Sequence, residues 1–262
     1  MDYMKEYQKW LTSGVLTADE VAELEAIKGN DRVIESRCYG PLEFGTAGLR
    51  GVMAAGTARM NVYTVRKASQ GLANYLVKNF ENPSCAIAYD SRIKSDVFAK
   101  EAAKVLAANG ITVHIYKELM PTPMLSWAVR YLKCDAGIVV TASHNPAKYN
   151  GYKVYGNDGC QITLNAAEEI LGYISEIDCF DDVKVTLEEI RDNVKTNNNV
   201  ENNNLDEEIK NNDNIIYEEL IGKKGYYFAL EFNYEKCTGC GICIKPDDYK
   251  LLSKKMSYLI TL

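Results

Sequence analysis

Long apolar runs are missing from this 262-residue chain, and none approaches the roughly 20 residues that span a bilayer. The opening MDYMKEYQKW has no apolar core of the kind that marks a secretory signal. Both absences predict a cytoplasmic protein. A positive excess is missing as well: the formal net charge is -6. Nucleic-acid binding needs a basic face to neutralise phosphates, so nucleic acid is excluded as the main partner. A small anion held by a few local cations is not. No internal repeat is present, and no Gly-x-Ser-x-Gly elbow, which makes a serine hydrolase a poor reading. Histidine is scarce, with only His114 and His144. Cysteines 38, 85, 134, 160 and 179 stand singly, which predicts free thiols, several of them packed as small hydrophobes.

What is present is ordinary for a globular protein: 47% hydrophobic and 25% charged residues. The N-terminus reads as helix over Asp2 to Leu11. Thr17-Ala-Asp-Glu20 has the capping-box pattern that opens a second helix, with Gly29 as a stop. Gly40 to Asn61 is glycine-rich and carries no period, so it reads as a long loop, and such loops are usually functional or disordered. From there helices and strands alternate. Asn61 can cap a helix with Val62, Val65, Leu72 and Leu76 at helical spacing. Cys85 to Tyr89 reads as a strand, Ser95 caps a helix to Asn109, and Ile111 to Tyr116 is a strand with His114 inside it. Met124 to Leu132 reads as helix, Ala136 to Thr141 as strand, Tyr152 to Tyr155 as strand and Asn165 to Ile177 as helix. The alternation predicts an α/β fold, a three-layer domain around a central mixed, mainly parallel sheet. In such sheets ligands bind at the carboxyl ends of strands. Ser143 lies just past one such end.

Composition changes near residue 193. The segment 193–214 is dominated by Asn, Asp and Glu and reads as a polar linker. This predicts a domain over 1–192, the linker, and a short tail over 215–262 that is too small for a confident core without a staple.

The loop TASHNPAKYNGYKVYG, Thr141 to Gly156, carries the chemistry. Taken alone, Ser-His-Asn-Pro is a turn, since Asn and Pro both favour one. Adjacent Ser143 and His144 are not a dyad, because neighbouring side chains on extended backbone point opposite ways. The longer string TASHNPAKYNGYKVYGNDG resembles the active-site loop of the α-D-phosphohexomutases, the phosphoglucomutase and phosphomannomutase family. FGTAGLRG (Phe44 to Gly51), AYDSRIKS (Ala88 to Ser95), PTPM (Pro121 to Met124) and NVYTVRKASQGLANYL resemble further family segments in the right order. The resemblance covers roughly residues 1–190. It implies an intramolecular phosphotransferase that interconverts hexose 1-phosphate and hexose 6-phosphate in carbohydrate metabolism. Ser143 would carry the phosphoryl group and, through that phosphate, ligate Mg²⁺. The partners it implies are a hexose phosphate and a hexose bisphosphate. Lys153 matches the general base, which requires burial or a neighbouring cation to lower its pKa. His144 and Asn145 match positions that orient substrate or phosphate. Arg50 suits charge stabilisation of a transferring phosphoryl. Asp90 and Arg92 read as a pair that fixes a loop, and His114 as a packed strand histidine.

Other family parts have no match. The sequence contains no Asp-x-Asp-x-Asp-Arg string for the metal, and no sugar-recognition loop or phosphate clamp. The expectation is a truncated chain, inactive alone, that needs a complementing chain. A rival reading is a non-catalytic remnant that binds a sugar phosphate or a partner. In the tail, KCTGCGICIKPDDYK places Cys237, Cys240 and Cys243 at C-x2-C-x2-C spacing, which resembles three-quarters of a bacterial ferredoxin motif. Asp247 stands where the fourth cysteine would be. Three thiolates suit a three-iron cluster, or a four-iron cluster with a distant ligand. Zinc suits less well, with no histidine nearby. A third reading is therefore an iron–sulfur electron-transfer protein.

Overall fold

A computed structural model describes residues 2–45, 48–185 and the strand Ile215–Glu218. Internal contacts divide the chain into two compact units: Met1–Ala142 with Ala147–Glu218, and a second to which Ser143–Pro146 belongs.

The first unit begins with three helices, α1 (Tyr3–Thr12), α2 (Ala18–Glu25) and α3 (Asp31–Cys38). Asp2 caps α1 by accepting from the Met4 and Lys5 amides, and the capping box of Thr17 and Glu20 opens α2 as its spacing predicts. α3 has only a cap signal in the sequence: Asn30, whose side chain accepts from the Val33 amide, with Asp31 in the first turn. Its eight residues are polar apart from Val33, Ile34 and Cys38, and it forms because Ile34 and Cys38, one turn apart, are buried against neighbours. Trp10, Leu24, Ile34 and Cys38 form a small core with Tyr63. Trp10, Tyr63 and Phe180 meet edge to face at 5.1 to 5.5 Å.

The segment that reads as a long loop contains a hairpin, β1 (Phe44–Gly45) and β2 (Gly48–Val52). β2 then pairs over its whole length with β6 (Tyr149–Gly156). Glycine-rich sequence hides this strand, because the pairing is specified by close backbone approach rather than side-chain pattern. A Cβ at Gly48 would lie 1.9 Å from the Tyr152 carbonyl oxygen, and Gly48 has φ +144.

The remaining elements are α4 (Val62–Asn79), β3 (Ser84–Tyr89), α5 (Ser95–Ala108), β4 (Thr112–Tyr116), α6 (Thr122–Leu132), β5 (Ala136–Val140), α7 (Leu164–Glu176) and β7 (Ile215–Glu218). The sheet order is β1-β2-β6-β5-β3-β4-β7. β5, β3, β4 and β7 run parallel, and β1, β2, β6 and β5 pair antiparallel. Apolar side chains of α4, α5 and α7 share one core with Ile87, Ile138, Val140, Tyr152 and Val154. α6 packs on the opposite face, where Leu125 and Val129 press on Gly137. The five cysteines expected as free thiols are free, and all but Cys160 are buried.

Ser95 corrects one expectation. It does not cap α5. The cap position is Lys94, in left-handed backbone at φ 62 without a side-chain cap bond. Ser95 Oγ is committed elsewhere: it donates to Asp90 Oδ1 at 2.7 Å and accepts from Asn150 Nδ2 at 3.0 Å.

Candidate active site

The carboxyl ends of the parallel strands β3 and β5 lie side by side, and the Asp90 amide donates to the Val140 carbonyl at 3.2 Å. Beyond β3, Asp90 accepts from the Arg92 amide at 3.0 Å and pairs with Arg92 Nε at 3.4 Å. Arg92 Nη1 also donates to the Tyr149 carbonyl at 3.4 Å. The pair therefore ties the β3 end to the start of β6, the role its motif predicts. Asn150 completes the tie. It is fully buried and donates to the Ile93 carbonyl at 3.0 Å as well as to Ser95. Nothing in the sequence pattern flags Asn150, since Asn before Gly reads as a turn.

Lys153 occupies the middle of the sheet. On β6 it stands opposite Gly48 of β2 and Val139 of β5. Tyr152 and Val154 point into the core under α4, so alternation puts Lys153 on the other face. Arg50 is two residues along β2 from Gly48 and shares that face. Arg50 is exposed and Lys153 half-buried. Burial lowers the Lys153 pKa, and the Arg50 charge lowers it further, while Asp90 pulls the other way. The net shift is downward, toward an amine that can accept a proton.

Ser143 follows β5 by three residues along the chain, in a turn. Its φ of 56 is left-handed, which is uncommon for a residue with a Cβ. Ser143 and Asn145 are half-buried and His144 is exposed. Ser143, His144 and Asn145 are thus contiguous on one turn, and Arg50 and Lys153 lie on adjacent strands of the sheet. His114 sits in β4 as expected, partly buried. Among the described residues, no three His, Cys, Asp or Glu side chains come together to hold a metal ion. Cys237, Cys240 and Cys243 lie outside the described residues. Among the described residues, no helix is long and apolar enough to cross a membrane.

The model of the phosphoglucomutase/phosphomannomutase alpha/beta/alpha domain I matches residues 41–179. A phosphoglucomutase of Staphylococcus saprophyticus is 48% identical over 139 residues, covering 53% of this chain and 25% of that protein. A phosphoglucomutase of Staphylococcus haemolyticus is 38% identical over 223 residues, covering 84% of this chain and 39% of that one. A solved structure from Thermus thermophilus, described as a phosphomannomutase, is similar with a TM-score of 0.50 and 32% identity, covering 54% of this chain and 32% of that one. The chain spans about a quarter to two-fifths of the length of these curated relatives, 25% and 39%.

Proposed function

The chain belongs to the phosphoglucomutase/phosphomannomutase family, and we propose that it is the phosphoserine-bearing part of a hexose phosphate mutase. In this reading residues 1–192 form the mutase domain, 193–214 link it to a tail, and the first residues of 215–262 add β7 to the sheet. Ser143 Oγ carries the phosphoryl group. A hydroxyl of the sugar phosphate attacks that phosphorus, the Oγ–P bond breaks, and a hexose bisphosphate results. The hydroxyl proton passes to the Lys153 amine. The bisphosphate turns over and returns its other phosphate to Ser143, so the phosphate count of the enzyme is unchanged. Arg50 stabilises charge on the transferring group, and His144 and Asn145 orient substrate or phosphate.

The observation that carries this reading is the placement of half-buried Lys153 on the same face of the sheet as Arg50, on the neighbouring strand, where burial and that charge both lower the lysine pKa. An ordinary surface lysine would be protonated and useless as a base. The left-handed backbone at Ser143 adds support, since strain of that kind collects at functional sites. Mass spectrometry of the purified chain, before and after exposure to glucose 1,6-bisphosphate, tests it. Phosphate is expected on Ser143 and absent from Ser143→Ala. A wild-type chain with no phosphate on Ser143 in either sample, and none after a chain carrying the aspartate string and clamp is added with the bisphosphate, overturns the assignment.

A second reading rests on the C-x2-C-x2-C spacing alone: a ferredoxin-like tail that holds an iron–sulfur centre through Cys237, Cys240 and Cys243. Anaerobic reconstitution with iron and sulfide tests it, and equal iron content in wild type and Cys240→Ala removes it.

A further inference from the structure

A cavity of about 650 Å³ opens between α3 and the segment that follows β2. Its lining includes Arg32, Ser36 and Arg37 of α3, Arg59, Met53, and Glu23 of α2. Neither Arg50 nor Lys153 lines it. Three guanidiniums face one carboxylate, and that carboxylate is engaged. Glu23 accepts Arg37 Nη1 at 2.5 Å through one oxygen and the Ala55 amide at 3.3 Å through the other. Arg59 has no carboxylate partner among the described residues. Its Nη1 donates to the Ser36 carbonyl at 2.8 Å and its Nη2 to Ser36 Oγ at 2.7 Å. Arg32, on the exposed side, pairs with no carboxylate among the described residues.

Three positive charges thus stand against the single carboxylate of Glu23 around one concave space. Burial pushes the Arg59 pKa below its usual value, and the Arg37 charge pushes it further. Like charges gathered in a half-buried site are unfavourable until an anion joins them. The guanidinium fork matches phosphate oxygens in geometry as well as charge. A dianion balances two cations, which a single carboxylate does not. The volume falls in the range of about 300–1,000 Å³ found for small-molecule sites, so it exceeds what a bare ion needs. We propose that this cavity is a second anion site, which binds the phosphate group of a small phosphorylated ligand at Arg32, Arg37 and Arg59, apart from the Lys153 face of the sheet.

The test is titration of the full chain with inorganic phosphate and with glycerol 3-phosphate. Calorimetry gives the affinity, and the arginine Nε–Hε resonances locate the site. Saturable binding that shifts Arg59 is expected, and the ester is expected to bind at least as tightly as inorganic phosphate. Arg59→Gln should weaken binding tenfold or more, and Arg32→Gln several-fold. Arg32 is exposed and its side chain has no hydrogen bond or ion pair among the described residues, so it carries the test if Arg59→Gln melts early. Arg50→Gln should leave the Arg59 response in place. No saturable binding overturns the proposal. So does binding that survives Arg32→Gln and Arg59→Gln but is lost in Arg50→Gln, which would put the anion at the Lys153 face. Exclusion of the ester overturns the small-molecule assignment.

Discussion

At the scale of single residues, Lys153 and Gly48 show how differently two neighbours are legible. The resemblance names Lys153 as a base, and general chemistry then requires that its pKa be low. The sequence does not say what lowers it. The causes are burial first and then Arg50, brought onto the same face by the β2–β6 pairing that glycine-rich sequence conceals. Removing that cation should therefore raise the Lys153 pKa and shrink the neutral amine fraction at a given pH. Competitive acetylation against pH should show the Lys153 profile of Arg50→Gln displaced to higher pH. An unchanged midpoint would mean that burial alone sets the shift. Gly48 matters for a different reason. Its left-handed φ and the 1.9 Å approach of a would-be Cβ to the Tyr152 carbonyl leave no room for a side chain. Gly48→Ala should destabilise the chain by at least about 3 kcal/mol, because backbone has to move rather than a side-chain tip. A denaturant midpoint close to wild type would show that β2 can shift without cost.

At the scale of elements, those with a strong apolar period are legible and those fixed by tertiary contact are not. α4, α5, α6 and α7 and strands β3, β4 and β5 lie where periodicity puts them, with ends shifted by one or two residues. α3 and β2 escape such a reading, since eight mostly polar residues and a glycine strand have no pattern to follow. The α4–α5 packing hides one further feature. Lys104 is 1% exposed and Glu101 5%, although such charged residues ordinarily stay at the surface. They are satisfied together: Glu101 pairs with Arg66 Nε of α4 at 2.5 Å and with Lys104 Nζ at 2.7 Å. Burial alone would raise the Glu101 pKa, but Arg66 and Lys104 bring it below its ordinary value of 4.5. A carboxylate held low in the folded state adds stability above its unfolded pKa and loses it as pH falls through the folded one. The α4–α5 pair should thus weaken below pH 4.5. Glu101→Ala leaves Lys104 buried without a partner and should cost about 3–5 kcal/mol at neutral pH. Its stability curve should also be flatter than wild type in that acid range. Chemical denaturation of both chains across pH checks it, and parallel curves would deny Glu101 the role.

At the scale of the molecule, the α/β class and the ordered motifs are legible, while the aspartate string of the family's metal loop has no match in this sequence. It contains no Asp-x-Asp-x-Asp-Arg string, and among the described residues no carboxylate cluster gathers to hold an ion. Phosphoryl transfer rests on positioning and on charge placed where it develops. Loss of even one preorganised donor typically costs about 10²–10³ in kcat. A chain with Ser143, Arg50 and Lys153 but without the aspartates and the phosphate clamp should therefore fall far below the usual enzyme range of about 1–1,000 turnovers per second. A coupled assay with glucose 1-phosphate, Mg²⁺ and glucose 1,6-bisphosphate should read background. Adding a separate chain that carries the aspartate string and clamp should restore turnover in proportion to the fraction bound, and the rate should saturate with its concentration. Ser143→Ala should abolish the restored rate, whereas a chain that reached the enzyme range unaided would show that Arg50 and Lys153 suffice for the transfer.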